Sequence, residues 1–78
     1  MNLEIGDVIQ LNDGMDYAVV QKIESNKNIY LYLITTTKPV KTIVAKQKQE
    51  EENIILETVS DKEELDYVLY KIGQKVDN

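Results

Sequence analysis

Residues Ile29 to Thr37 constrain the fold of this chain more than any other stretch. The run is dense in β-branched and aromatic side chains, which suit a pleated, half-buried surface. Successive side chains of a strand point to opposite faces. Ile29, Leu31, Leu33 and Thr35 therefore share one face, and Tyr30, Tyr32, Ile34 and Thr36 share the other. Both faces are largely apolar. A strand of this kind belongs in the middle of a sheet, with a core side and a partly covered side.

The flanking sequence supplies the neighbours. Asp7-Val8-Ile9-Gln10-Leu11 is a short strand candidate, followed by the turn Asn12-Asp13-Gly14-Met15-Asp16. Asp-Gly between apolar runs is a strong hairpin signal, because both residues tolerate positive φ. Residues 17–23 form the return strand, with Tyr17, Val19, Gln21 and Ile23 expected on one face. Glu24 to Asn28 is a polar turn. Lys38-Pro39 interrupts the pattern after the central run, since proline cannot donate to a ladder. Residues 41–48 and 54–59 make two more strands. The charged stretch Gln47 to Asn53 between them reads as a hairpin loop or as a protruding extension of the strand.

Ser60-Asp61-Lys62-Glu63 matches a capping box, in which a hydroxyl and a carboxylate satisfy two orphan amides reciprocally. It opens a predicted helix over residues 61–72. Leu65, Val68, Leu69 and Ile72 fall at i, i+3, i+4 and i+7 and predict one apolar stripe. Gly73 is the expected stop, and residues 73–78 the expected frayed tail. The seventy-eight residues make one domain. The expected class is α+β: a five-stranded antiparallel meander with one C-terminal amphipathic helix. The sheet forms either a small SH3-like barrel or an open layer, the barrel being favoured because curling surrounds the core of so short a chain. With the helix packed against a curled sheet, no room is expected for an active cleft.

Chemistry-bearing groups are sparse. The chain has no cysteine, histidine, tryptophan or phenylalanine; its nine basic residues are all lysine, against fourteen carboxylates, for a net charge of −5. Nucleophilic catalysis needs an activated Ser, Cys, Thr or Lys beside a base. Here Ser25 lies in a turn and Ser60 is assigned to the helix cap. No enzyme activity, no cofactor and no metal site is expected. Asn12 to Asp16 carries oxygen ligands without the spacing of an EF-hand loop, and Glu50-Glu51-Glu52 reads as a solvated loop. The opening Met1 to Asp7 lacks the charged and apolar regions of a signal peptide. No apolar run approaches the ~18 residues of a membrane span. Together with the absence of cysteine, these features lead to an expected cytoplasmic location.

Three surfaces remain as binding candidates. Tyr67 and Tyr70 lie about one helical turn apart, and tyrosine is enriched at protein interfaces. Half-buried tyrosines at the edge of the core are the structural alternative. Eight carboxylates fall between Glu50 and Asp66 with one lysine among them. With Glu63 and Asp66 expected off the apolar stripe, that surface offers a basic protein face an acidic mimic. Lys38, Lys41, Lys46 and Lys48 follow Tyr30 and Tyr32, a combination that can stack bases and track a backbone. Net negative charge and the lack of arginine oppose nucleic-acid binding. Packing of both tyrosines and solubilisation of an edge strand by the lysines explain the same residues.

The order of Tyr17-Ala18-Val19-Val20, Tyr30-Leu31-Tyr32-Leu33 and Val59-Ser60-Asp61-Lys62-Glu63-Glu64-Leu65 resembles a group of small acidic proteins of Gram-positive bacteria known only as a domain of unknown function. The resemblance spans about residues 17–72. The Ile5-Gly6-Asp7-Val8 opening and the lysine-rich 38–48 stretch depart from it. It implies a bacterial or phage cytoplasmic origin and carries over no functional residue. The expected function is a non-enzymatic interaction module that binds another protein or a second copy of itself. Acidic mimicry directed at a nucleic-acid-binding protein is the first alternative, and weak single-stranded nucleic-acid binding is the second.

Overall fold

The computed structural model describes residues 3–25 and 27–76. Its elements are β1 (Val8–Gln10), β2 (Asp16–Ser25), β3 (Asn28–Thr35), β4 (Thr42–Glu50), β5 (Asn53–Thr58) and α1 (Lys62–Val76). Each strand pairs antiparallel with the next, so sheet order equals chain order. The fold is α+β: a five-stranded sheet curled into a half-barrel, with one C-terminal helix. β3 is the central strand, as its two apolar faces require. β1 and β5 end the sheet and do not pair with each other, so curling stops short of a closed barrel. Among the described residues no helix is long and apolar enough to cross a membrane.

Element boundaries follow local chemistry. β1 is shorter than the expected 7–11 because Leu11 already belongs to the turn. The Gly14 amide donates to the Leu11 carbonyl at 2.9 Å, and the Leu11 amide donates to the Met15 carbonyl at 3.1 Å. Only Gly14 in this turn has positive φ, at 80°. The hairpin falls at the expected turn, and its loop is a three-residue type, a tight turn followed by a left-handed glycine, in which Asp13 does not use the positive φ it tolerates. Asp13 Oδ1 braces it by accepting the Met15 amide at 2.9 Å. β4 runs on to Glu50, so the charged stretch is a strand extension, and Glu51-Glu52 alone turn the chain into β5. Glu51 takes a positive φ of 53° there.

A bulge decides how the core is divided. On β2, Val19 faces Leu33 and Gln21 faces Tyr32, leaving Val20 as an extra residue. One inserted residue inverts the inward and outward alternation beyond it. Tyr17 and Val19 consequently join Leu31, Leu33 and Ala45 on one face, whereas Ile23 joins Tyr30 and Val44 on the other. The expectation that Tyr17, Val19, Gln21 and Ile23 share a face fails at this bulge. α1 packs its Val68 and Ile72 on the Ile23–Tyr30–Val44 face, with Val59 beside them. The opposite face is closed in part by Leu3, Ile9, Leu11, Met15, Ile29, Ile43 and Leu56.

The helix start also differs from expectation. Asp61, not Ser60, is the cap: its Oδ2 accepts the Glu64 amide at 3.0 Å and its carbonyl accepts the Leu65 amide at 2.8 Å. The spacing is that of a capping box moved by one residue, Asp61-x-x-Glu64. Glu64 does not reach back, because its carboxylate is engaged with Tyr30 and Lys46. Val68 is fully buried, but Leu69 is 42% exposed. The buried stripe is narrower than the sequence spacing predicts and centres on Leu65, Val68 and Ile72. α1 passes through Gly73 to Val76, so the expected stop and the start of the tail are corrected. Residues 77 and 78 lie outside the described residues.

Candidate functional site

With the helix on one face, the opposite face keeps an opening. A cleft of about 880 Å³ lies between the two ends of the sheet. The expectation of a body without room for a cleft is therefore overturned, because the helix lies on the other side of the sheet. Ile43, Ala45 and Tyr17 contribute to the floor, and their alternation marks a sheet face. The walls are different. Ile9, Gln10 and Leu11 line one side consecutively, and Glu52 to Leu56 line the other consecutively. Neighbouring side chains of a strand point opposite ways. Consecutive lining therefore means that the strand edges themselves face the cleft.

Eight of the fifteen lining residues are aliphatic, the rest being polar or aromatic, and the charged members, Asp13 and Glu52, are both acidic. A shallower depression lined by Glu50, Glu51 and Asn53 marks the β4–β5 turn. Asp13 is held as a carboxylate. Its Oδ2 accepts the Tyr17 hydroxyl at 2.7 Å. That bond and the Met15 amide keep the carboxyl below its ordinary value of 3.8, while the same bond raises the Tyr17 hydroxyl. Gln47 is buried on the same face as Ala45, opposite the cleft residue Leu56. Its Oε1 has no hydrogen-bond partner among the described residues.

The residues singled out from sequence fall elsewhere. Tyr30 is buried beneath α1, where its hydroxyl donates to Glu64 Oε2 at 2.6 Å. Lys46 Nζ meets the same oxygen at 2.7 Å and lies 5.8 Å from the centre of the Tyr30 ring. Tyr32 packs half-buried against that cluster. Lys48 pairs with Glu57 at 3.1 Å on the sheet surface. Tyr30 and Lys46 thus join β3 and β4 to the helix, and the Tyr30 ring offers no free face to a base. The Lys46 ammonium, through its hydrogen bond, and then the Tyr30 hydroxyl lower the Glu64 carboxyl below 4.5. Lys46 is raised mainly by that bond, and Tyr30 is raised first by burial and then by Glu64.

On the outer helix surface Glu63 and Asp66 are exposed. Tyr67 is tied to the end of β2 by a 2.6 Å hydrogen bond with Ser25, and Lys71 Nζ lies 5.6 Å over its ring. Tyr70 is 63% exposed, and its hydroxyl accepts Gln74 Nε2 at 2.8 Å. Tyr67, Tyr70, Glu63 and Asp66 therefore stand on the opposite side of the sheet from the cleft. Sequence reasoning missed the cleft residues. The alternation Ile54, Leu56 and Ile43, Ala45 was the available signal, but an inward face does not announce whether it is filled. No group of three or more acidic, histidine or cysteine side chains is placed to share a metal ion among the described residues.

Fold and site together define a half-barrel with an acidic-rimmed, partly aliphatic cleft between its free edges. No protein-family model, no curated protein and no solved structure matches the chain.

Proposed function

We propose that the protein is a non-enzymatic interaction module that docks an extended segment of another protein in the cleft between β1 and β5. The observation that carries this reading is the consecutive lining from both strand edges. Free edges present rows of backbone donors and acceptors, the basis of strand-addition recognition. The aliphatic floor suits a partner segment with apolar residues at alternate positions. Asp13 and Glu52 suit a lysine or arginine on that segment, and no lysine is among the described residues that line the cleft. The same acidic rim disfavours a phosphate backbone. Absence of histidine and cysteine from the sequence supports the non-enzymatic part. A bacterial or phage cytoplasmic setting belongs to this reading through the resemblance noted above.

Acidic mimicry keeps a narrower basis on the exposed Glu63 and Asp66, since Glu64 is engaged inside the fold. Selection of a random seven-residue peptide library on the immobilised protein tests the docking reading. Enriched peptides should combine alternating aliphatic residues with a basic residue. Their affinity should fall at least tenfold in Ile9→Lys and in Leu56→Lys, each checked for native circular dichroism. Lack of enrichment, or affinity retained by both folded variants, contradicts it.

A further inference from the structure

The parity of the meander says how such a segment enters. Five strands that alternate in direction leave the first and the fifth running the same way. They cannot close on each other as an antiparallel pair. One strand inserted between them and running opposite to both would convert the half-barrel into a closed, all-antiparallel barrel of six. Antiparallel ladders are slightly more stable per residue than parallel ones, and closure removes both edges at once. Resting on the docking reading above, we infer that the partner segment binds as this sixth strand, antiparallel to β1 and β5 together.

The size of the opening agrees. A residue of strand occupies roughly 160 Å³, from a rise of ~3.3 Å, a spacing of ~4.8 Å and a thickness of ~10 Å. The 880 Å³ cleft therefore accommodates about five residues of strand by the same dimensions. Alternate side chains of that strand meet the floor at Ile43 and Ala45, and the others face solvent. The basic residue of the segment lies near Asp13 or Glu52.

The test uses the tightest peptide from the library selection bound to the isotope-labelled full chain. Nuclear Overhauser contacts between α-protons across an antiparallel ladder should appear from the peptide to both the Ile9–Leu11 edge and the Ile54–Leu56 edge. Methylating the peptide's backbone nitrogens, one residue at a time, should weaken binding at least tenfold at nearly every interior position. Successive amides point to alternate edges, and both edges are engaged. A peptide whose affinity depends on Ile9 and Leu56, but which contacts one edge only, runs parallel, or tolerates methylation at every second position, overturns the sixth strand and leaves the docking reading standing. Failure of the selection itself removes the docking reading first.

Discussion

At Asp61 a single side chain decides where the helix begins. Its carboxylate oxygen takes the Glu64 amide at 3.0 Å, satisfying one of the donors that every helix start leaves open. Ser60 has the better-known capping hydroxyl but stands one residue too early. Asp61→Ala should therefore cost roughly 0.5–2 kcal/mol, whereas Ser60→Ala should stay within about 0.5 kcal/mol. Urea denaturation of the two variants measures this, and a larger loss for Ser60→Ala contradicts the assignment. The motif was legible in the sequence, but its register was not. Both Ser60-x-x-Glu63 and Asp61-x-x-Glu64 satisfy the pattern. What separates them is tertiary: Glu64 must reach Tyr30 and Lys46 across the sheet, and that contact places the first turn.

Among the elements, β2 teaches most. Its residues alternate cleanly enough to suggest one continuous face, yet the extra residue at Val20 sends Ile23 to the helix side and Val19 to the cleft side. Nothing in Val19-Val20-Gln21 distinguishes a bulge from a regular strand, because no glycine or proline marks it. The central position of β3 was legible from its composition, since both faces had to be covered. The direction of α1 on the sheet was not, and with it went the cleft. The helix itself shows a similar division. Val68 is fully buried and Leu69 is 42% exposed, although both belong to the predicted stripe. Val68→Ala removes two methyl groups from a packed site and should cost about 1–3 kcal/mol. Leu69→Ala should cost under about 1 kcal/mol, its side chain being only partly desolvated. Thermal melts of the two variants check the contrast, and equal losses refute the narrow stripe.

For the molecule as a whole, two charged clusters tie parts of the fold together, one on each face. Glu64 and Asp13 have carboxyls lowered in the folded state, by Lys46 with Tyr30 and by Tyr17 with the Met15 amide respectively. Their contribution is present above the ordinary values of 4.5 and 3.8 and is lost as pH falls through the lowered folded values. Lys46, Tyr30 and Tyr17 are raised. Their contribution is present below the ordinary values of 10.5 and 10.0 and is lost as pH rises through the folded ones. The melting temperature should therefore hold a plateau between roughly pH 5 and pH 9 and fall on both sides. Glu64→Gln should flatten the acid limb, and an unchanged acid limb speaks against the Lys46–Glu64–Tyr30 tie. The sheet carries the helix on one side and the cleft on the other. Methyl-to-methyl and methyl-to-aromatic nuclear Overhauser contacts from Val68 measure that arrangement directly. Contacts to Ile23, Tyr30 and Val44, with none to Leu31 or Leu33, are the predicted result. Contacts from Val68 to Leu31 and Leu33 would put the helix on the cleft face and leave no room for a partner strand.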